Sequence, residues 1–414
     1  MRIPEALICD QIPTCEGGRA SMRVAIAGGG VGGLTAAAAL ARNGIECTVY
    51  EQAPELSVAG ASLQLGPNGL RLMDELGRLP ALRAIGVRPE AVDFVRWSDG
   101  SLLLHTPLGA AMEEHFGAPQ LDFYRPDLHR VLLDALAPGT VVPGVAVKSV
   151  EPSDAGVTVQ LGDGDEVHAD VVVAADGIRS RIRQQLAGAD QPEFSGTVVY
   201  RGVVRREDAL PLHPDHVNYY WLGPYRHGVS YWISGGELLA VNCAAQHAEW
   251  AHESWTLTAP AEEALEYFEG WDEGLRERIR RCGTMLRGAV FVRRPLEHWS
   301  YGRVTLLGDA AHAMEPFQAQ GAAQAVEDAY VLAECLAADA DDPIAALRRY
   351  EVIRMNRAVD LQTSSHAAAE SFYLPDGEEQ RRRDAAYATL LETLPFGTRQ
   401  PIWEHDVRTA LAPR

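Results

Sequence analysis

Residues 23–51 restrict the fold of this chain more than any other segment. A short apolar run is followed by three glycines in the spacing Gly28-x-Gly30-x-x-Gly33, then by an alanine-rich stretch and a second apolar run that ends at Glu51. The apolar runs predict strands, and the stretch between them predicts a helix. Because the crossover is a single short helix, the two strands are expected to be parallel neighbours in one sheet.

Each glycine of this pattern has a physical reason. The first permits a tight turn, the second lets a pyrophosphate approach the backbone, and the third lets helix and strand pack closely. Glu51 falls about 20 residues further on, where an acid meets a ribose hydroxyl. A glycine-rich turn without a ligand is the alternative, but the strand, the helix and the acid together favour dinucleotide binding.

A second informative segment, residues 302–329, lies near the other end of the chain. It predicts a strand, a turn that carries Asp309 directly after Gly308, a loop with Pro316, and a long helix that begins near Gly321. A carboxylate at the end of a buried strand can accept hydrogen bonds from ligand hydroxyls, and a helix N-terminus offers free N–H groups. Since the chain has no second Gly-x-Gly-x-x-Gly pattern, one long ligand held at both ends favours FAD over NAD.

Composition excludes several classes of function. A formal charge of −20 argues against nucleic acid or an anionic membrane as a partner. Lys148 is the only lysine, which makes Schiff-base chemistry improbable. The six cysteines form no CxxC pair and no metal-binding spacing, so no metal is expected and a reducing cytoplasm is favoured. Residues 1–21 lack the apolar core of a secretory signal and are predicted to be a disordered extension.

The expected fold class is α/β plus an antiparallel sheet. Residues 22–193 are predicted to form the first part of a Rossmann-like nucleotide-binding domain, including a small β-meander from strands at 140–147, 157–161 and 167–173. Residues 194–292, rich in Tyr, Trp and Val, predict an inserted β-sheet substrate domain that ends with a helix at 261–281. Residues 293–345 return to the first domain, and residues 346–414 are expected to be a C-terminal helical region, with one helix over 343–361.

Three motifs in this order resemble the single-component FAD-dependent aromatic hydroxylases, which share the p-hydroxybenzoate hydroxylase fold. They are the glycine pattern that starts at Gly28, Asp176-Gly177-x-x-Ser180-x-x-Arg183, and Gly308-Asp309-Ala310-Ala311-His312 followed by Pro316. The segment EYFEGWDEGL and the surroundings of His227 are most similar to the branch of salicylate, 3-hydroxybenzoate and 6-hydroxynicotinate hydroxylases.

The resemblance implies a non-covalently bound FAD. It assigns Asp309 to the ribityl chain, Arg125 to the ribityl–pyrophosphate region, and Asp176 to the neighbourhood of the pyrophosphate. An ordinary turn at Asp176 and a surface salt bridge at Arg125 are the alternatives. The expected cofactor contacts are Gly28, Gly30, Val31, Gly33, Glu51, Gln52, Gly60, Ala61, Arg125, Asp176, Gly177, Gly308, Asp309, Pro316, Gly321 and Ala322.

The catalytic candidates are His227 and Tyr231. Four residues apart on a predicted strand, their side chains face the same side. The resemblance places such a pair in the substrate pocket, where a histidine can take a phenolic proton directly or through water and the tyrosine can orient the substrate. A structural histidine and a core tyrosine are the alternative. Gln64, Arg201 and Met314 are further pocket candidates.

The resemblance thus implies a monooxygenase that uses NAD(P)H and O2 to hydroxylate an aromatic substrate, a phenolic or hydroxypyridine carboxylate, through a C4a-hydroperoxyflavin. The alternatives are an epoxidase or dehydrogenase of the same fold, or a flavin-binding protein without turnover. The sequence leaves open the choice between NADH and NADPH, the exact substrate, and whether the protein is a homodimer.

Overall fold

The computed structural model describes residues 22–55, 62–188, 190–247, 250 and 257–411. The predicted disordered extension at residues 1–21 and the cofactor candidates Gly60 and Ala61 lie outside the described residues.

The strands alternate with helices in the first part of the chain and dominate the middle. The strands are β1 Arg23–Ala27, β2 Glu46–Glu51, β3 Ser62–Leu65, β4 Ala91–Arg96, β5 Leu102–Pro107, β6 Leu121–Tyr124, β7 Val141–Pro143, β8 Val147–Pro152, β9 Val157–Leu161, β10 Glu166–Ala169, β11 Val171–Ala174, β12 Glu193–Arg205, β13 Val217–Gly223, β14 Arg226–Ile233, β15 Leu238–Gln246, β16 Leu257–Pro260, β17 Thr284–Val292, β18 Ser300–Tyr301 and β19 Val304–Leu306. The helices are α1 Val31–Arg42, α2 Pro67–Glu75, α3 Leu79–Ile85, α4 Gly109–Phe116, α5 Arg125–Asp134, α6 Arg181–Ala187, α7 Arg206–Ala209, α8 Ala261–Tyr267, α9 Glu273–Cys282, α10 Asp309–His312, α11 Gly321–Ala338, α12 Pro343–Phe372, α13 Glu378–Thr393 and α14 Gln400–Glu404.

The first sheet has the strand order β18-β19-β11-β1-β2-β7. β1 pairs in parallel with β2 and with β11, and β11 pairs in parallel with β19. The register aligns Ala27 with Ala174, and Ala174 with Leu306, so the three central strands end at the same edge. In such sheets ligands bind at the carboxyl edge. The glycine pattern after β1 and Asp309 after β19 are therefore neighbours, as the sequence predicted.

The second sheet has eight strands in the order β16-β17-β12-β15-β14-β13-β4-β5. All its pairings are antiparallel except that between β4 and β13. The sequence analysis placed residues 91–107 with the nucleotide-binding part, whereas β4 and β5 complete this sheet. The sheet is thus not confined to residues 194–292.

Three predicted element boundaries differ from the structure. The meander consists of β8, β9 and β10, while residues 141–143 and 171–174 belong to the parallel sheet. The helix expected over 261–281 is two helices, because Asp272 accepts a hydrogen bond from the Leu275 N–H and starts α9 afresh. α12 continues to Phe372, beyond the expected end at 361.

Separate apolar cores support the two sheets. Ile26, Leu34 and Val173, all fully buried, belong to the core around the parallel sheet. Trp232 and Leu239 belong to a second core, on the large sheet. Within the described ranges no helix is both long and apolar enough to cross a bilayer.

Candidate active site

A cavity of about 840 Å³ runs from the carboxyl edge of the parallel sheet to one face of the large sheet. Most of the residues predicted from the sequence line it. These are Gly30, Val31, Glu51, Gln52, Gln64, Arg125, Gly177, Arg201, His227, Tyr231, Gly308, Asp309, Met314, Pro316, Gly321 and Ala322. Gly28, Gly33 and Asp176 lie behind this wall rather than on it.

The glycine pattern forms one end of the cavity. Gly28 has a φ of +106°, and a Cβ on Gly33 would lie 2.0 Å from the Gly28 carbonyl oxygen, so both positions require glycine for internal packing. A Cβ on Gly30 would meet no atom within 4 Å. The space beside Gly30 is the space into which a pyrophosphate would fit, next to the N-terminus of α1.

The acid at the end of β2 is held in place by the backbone. The Glu51 carboxylate accepts the N–H of Gly29 at 2.7 Å and the N–H of Ala53 at 2.8 Å. Because an ionised carboxylate can accept about four hydrogen bonds, Glu51, which lines the cavity, has capacity left for a ligand hydroxyl. Its contact with a ribose stays a prediction.

The turn after β19 forms the next part of the wall. Gly308 has a φ of +63°, and its N–H donates to the buried Asp328 carboxylate at 3.0 Å. Asp309 follows as the first residue of α10 and faces the cavity. α11 begins at Gly321 without a side-chain cap, so its first N–H groups are open to a ligand.

Arg125 lies between the two ends of this ligand space. Burial lowers the pKa of its guanidinium, while the charges of Asp309 and Glu51 oppose that shift. Among the described residues the guanidinium forms no ion pair, although two carboxylates are near enough to influence it. The unpaired cation, the cradle at Gly30 and the two open helix N-termini fit the pyrophosphate and the ribityl chain of FAD.

The Asp176 motif supports the wall from behind. Asp176 accepts the Arg181 N–H at 3.0 Å, and Ser180 caps α6 by accepting the Arg183 N–H at 2.9 Å. The fully buried Arg183 donates to the carbonyl oxygens of Ala310 and Ala311 at 3.2 and 3.0 Å. This motif therefore anchors α10, the helix that carries Asp309. The sequence analysis included Arg183 in the motif but did not predict that it anchors α10.

The large sheet supplies the other end of the cavity. His227, Val229 and Tyr231 alternate along β14, and all three line the wall, as the period of a strand predicted. The Tyr231 hydroxyl donates to Ser62 at 2.8 Å, and Asn242 donates to the same oxygen at 2.9 Å. Asn242 is a pocket residue that the sequence analysis missed.

His227 is 9% exposed and packs among aromatic rings. Its ring centroid lies 5.3 Å from that of Phe317, 5.6 Å from Phe372 and 5.5 Å from Tyr373. Burial lowers the pKa of His227 to about 3, and its Nδ1 is buried without a hydrogen-bond partner among the described residues. The imidazole is therefore neutral at pH 7, and Nε2 is the nitrogen left for a ligand.

Arg201 is a second unpaired cation in the wall. It lies on β12, in line with Thr197 and Val199, and burial lowers the pKa of its guanidinium. The nearby Arg125 lowers that pKa further, while Tyr231 raises it, and no carboxylate pairs with Arg201 among the described residues. Arg226, at the start of β14, does not line the cavity.

Comparisons with known proteins agree with this geometry. A family described as an FAD binding domain matches residues 21–364. The chain is 44% identical over 367 residues to 3-amino-4-hydroxybenzoate 2-monooxygenase PtnB3 of Streptomyces platensis, an alignment that covers 89% of this chain and 92% of the relative. The chain belongs to the FAD-dependent aromatic monooxygenase family.

Two further relatives extend the comparison of this monooxygenase. It is 34% identical over 350 residues to 6-hydroxynicotinate 3-monooxygenase of Pseudomonas fluorescens, covering 84% of this chain and 91% of the relative. A solved salicylate hydroxylase substrate complex superposes with a TM-score of 0.80 at 28% identity, covering 94% of this chain and 97% of that one. The predicted family and FAD as cofactor are thereby confirmed, while the contacts of individual residues stay predictions.

One carboxylate in the wall of the monooxygenase escaped the sequence analysis. Glu315 is 3% exposed, lines the cavity and directly precedes Pro316. Its Oε2 is 2.9 Å from Nδ1 of His366, an exposed residue of α12. Because 51 residues separate Glu315 from His366, no local sequence pattern indicates this contact.

Proposed function

We propose that this monooxygenase hydroxylates an aromatic acid that carries a ring hydroxyl, with 3-amino-4-hydroxybenzoate as the first candidate. The observation that carries the proposal is Arg201, a half-buried cation in the wall of the large sheet that has no acidic partner in the part of the chain that the structure describes. Removing a charge from water without a partner is costly, and a substrate carboxylate would compensate it. The acids named for the PtnB3 protein, for 6-hydroxynicotinate 3-monooxygenase and for salicylate hydroxylase all combine a carboxylate with a ring hydroxyl.

In this proposal the cofactor occupies the end of the cavity near the parallel sheet. Glu51 holds the adenosine ribose, Asp309 the ribityl chain, and Arg125 with the α1 N-terminus the pyrophosphate. When bound, FAD would accept the electrons of NAD(P)H and use them to activate O2. The chain itself positions the substrate ring, and the apolar side chains around it exclude water.

His227 and Tyr231 act on the substrate hydroxyl. A neutral imidazole at pH 7 is in the correct state to accept a hydrogen bond, and Nε2 is the free nitrogen. Tyr231, fixed by its hydrogen bond to Ser62, orients the ring.

Product analysis under ¹⁸O-labelled O2 tests the reaction class. The FAD-loaded protein is supplied with NADH or NADPH and, in turn, 3-amino-4-hydroxybenzoate, 6-hydroxynicotinate and salicylate, while oxygen uptake and product mass are recorded. The expected product of at least one acid carries one additional labelled hydroxyl group. An unlabelled product would indicate a dehydrogenase, an epoxide would indicate an epoxidase, and no stimulated NAD(P)H oxidation with any acid would contradict the proposal.

A pair of arginine variants tests the carboxylate site. Arg201→Met should raise the KM for the acid by about tenfold or more, since a hydrogen bond to a charged group contributes roughly 1.5–3 kcal/mol. FAD content should stay unchanged. Arg226→Met is the matched control, because this side chain lies outside the cavity wall, and it should leave KM unchanged. Equal KM values for the two variants would remove Arg201 from the substrate site.

A further inference from the structure

Ser62 joins two sides of the cavity at its substrate end. Its Oγ accepts the Tyr231 hydroxyl at 2.8 Å and the side-chain N–H of Asn242 at 2.9 Å. Ser62 belongs to β3, whereas Tyr231 and Asn242 belong to β14 and β15 of the large sheet, and all three line the cavity. These three residues are called the Ser62 bridge below.

The hydrogen bonds of the Ser62 bridge leave Tyr231 able only to accept. The amide nitrogen of Asn242 has no lone pair to offer, so it must donate to Ser62 Oγ. The Tyr231 hydroxyl has a single hydrogen, which it donates to the same oxygen. Burial raises the pKa of Tyr231 above its ordinary value, so the phenol keeps this hydrogen near pH 7. A lone pair of the Tyr231 oxygen is what remains for a ligand.

The Ser62 bridge lies next to the cation assigned to the substrate carboxylate. Arg201 of β12 is directly opposite Asn242 of β15 in the register of the large sheet. Directly opposed residues of an antiparallel pair share a face and have Cβ atoms about 4.5–5.5 Å apart. Tyr231 is also near enough to Arg201 to act on the pKa of its guanidinium. A ring whose carboxylate is bound by Arg201 is therefore within reach of the bridge.

The wall offers such a ring two acceptors, and a ring hydroxyl can serve only one of them. The neutral His227 accepts at Nε2, and Tyr231 accepts at its hydroxyl oxygen. The two residues are four positions apart on β14, with about 13 Å between their Cα atoms at the usual rise of a strand. A hydroxyl carries one hydrogen. A substrate with no other donor would leave one buried acceptor unpaired, which costs affinity.

We propose that the Ser62 bridge selects substrates that carry an amine on the ring in addition to the hydroxyl and the carboxylate. The hydroxyl donates to His227, and the amine donates an N–H to the Tyr231 oxygen. Ser62 and Asn242 are positioning residues, because they act through Tyr231. This inference rests on the proposed function and narrows its substrate class to the aromatic acids that carry both an amine and a hydroxyl.

Three acids of similar shape test the need for a second donor. They are 3-amino-, 3-methyl- and 3-methoxy-4-hydroxybenzoate, whose groups at position 3 can donate, can do neither, or can only accept. Their Kd values for the FAD-loaded protein are measured by calorimetry without NAD(P)H, so that no turnover occurs. We expect the parent to bind the 3-amino compound about tenfold or more tightly than the other two, because these leave the Tyr231 oxygen unpaired.

Variants of Ser62 test whether the serine sets this preference. Ser62→Ala removes the acceptor of the Tyr231 hydrogen, so the tyrosine becomes free to donate. The preference for the 3-amino over the 3-methyl compound should fall by about fivefold or more, and the 3-methoxy compound should bind more tightly than it does to the parent. Ser62→Thr keeps the hydroxyl and should keep the preference, which separates hydrogen bonding from a general loss of packing.

A double variant tests whether Ser62 acts through Tyr231. Tyr231→Phe removes the acceptor itself and should lose the preference for the amine. Adding Ser62→Ala to Tyr231→Phe should then change the ratio of Kd values no further. An additional loss in the double variant would mean that Ser62 contacts the ligand directly, and it would overturn the role of the bridge.

Ser230→Ala is the matched control. Ser230 precedes Tyr231 on β14, so its side chain points to the opposite face of the sheet. It is fully buried, and its Oγ lies 3.4 Å from Nδ1 of His213. This variant loses the same hydroxyl group as Ser62→Ala but should keep the preference of the parent for the 3-amino compound.

The outcomes separate this selectivity from the proposed function. Equal Kd values of the parent for the three acids, or no binding of the 3-amino compound, would overturn the inference. An unchanged preference in Ser62→Ala, or the same loss in Ser230→Ala, would also overturn it. Labelled product in the hydroxylation assay together with any of these results leaves the hydroxylase standing and removes only the selection for an amine.

Discussion

Gly30 and Gly33 lie three residues apart in the same turn and face opposite surroundings. A Cβ on Gly33 would lie 2.0 Å from the Gly28 carbonyl oxygen, whereas a Cβ on Gly30 would enter the open cavity. Gly33→Ala is therefore expected to destabilise the fold by about 1–3 kcal/mol, the usual cost of overpacking. Gly30→Ala should leave the FAD-free protein within about 0.5 kcal/mol of the parent in urea unfolding.

The same two variants should differ in cofactor binding. Gly30→Ala is expected to lower FAD affinity by about tenfold or more, because its methyl group stands where the pyrophosphate approaches the backbone. Flavin fluorescence during titration of the apoprotein measures this. If Gly30→Ala bound FAD as tightly as the parent, the pyrophosphate would have to lie elsewhere.

His227 makes stability depend on pH. Its pKa is about 3 in the folded protein and 6.5 as a free side chain, so the unfolded chain binds more protons between these values. Stability conferred by the neutral imidazole is therefore present above pH 6.5 and is lost as the pH falls towards 3. Replacing His227 by leucine removes this dependence. Relative to His227→Leu, the parent should lose about 2 kcal/mol between pH 7 and pH 5.

Urea unfolding of both proteins at the two pH values measures the difference. His213 has a similarly low pKa, but it is present in both proteins, so its contribution to the pH dependence cancels in the difference. A parent-to-variant difference that does not change with pH would mean that His227 is protonated, or solvated, in the folded state.

At the level of elements, the periodicity of the sequence predicted features that depend only on neighbouring residues, such as which side chains of a strand share a face. The period of two along β14 placed His227 and Tyr231 on one wall without knowledge of the fold. The same reasoning could not assign β4, because its pairing with β13 joins segments more than 100 residues apart. Glu315 escaped for the same reason, since its partner His366 lies on a distant helix.

A buried ionic network joins the C-terminal helix α12 to the FAD end of the cavity. Arg354 of α12 is fully buried and bonds to Asp328 at 2.8 Å and to Glu327 at 2.6 Å. Asp328 in turn accepts the Gly308 N–H and lies 2.5 Å from Nε2 of His312. The network thus fixes the turn that presents Asp309, and it gives His312 a structural place instead of a catalytic one.

Arg354→Met should destabilise the protein by about 3–5 kcal/mol, because it removes the fully buried cation that Glu327 and Asp328 share and leaves them only Arg357 and His312 as partners. Arg382→Met is the matched control, since Arg382 and Glu378 form an exposed pair within α13. That control should cost no more than about 1 kcal/mol. Chemical unfolding of the apoproteins gives both values, and similar losses in the two variants would show that the network contributes no more than a surface pair.

At the scale of the whole molecule, the cofactor site depends on chain segments that are distant in sequence. The glycine pattern follows β1, Arg125 opens α5, and Asp309 follows β19. The sequence predicted this convergence because parallel strands end at a common edge. It could not predict that Arg125 and Arg201 have no ion-pair partner among the described residues, since burial and the distances to other side chains are set only when both sheets pack together.

A ligand that bridges these segments should stabilise the protein more than its halves do. In the proposed binding mode FAD contacts the Gly30 end and the Asp309 end at once, and the covalent link between its halves makes the second contact intramolecular. We expect the unfolding temperature to rise with FAD concentration, and the free energy of unfolding to increase by about 2.7 kcal/mol at a hundredfold excess of FAD over Kd.

FMN and AMP added together at the same concentrations should stabilise the protein clearly less. The Gly30→Ala variant should lose much of the stabilisation by FAD but keep the stabilisation by FMN. If FMN alone stabilised the parent as much as FAD does, the adenosine half would contribute nothing, and the assignment of Glu51 and the glycine turn to the cofactor would fail.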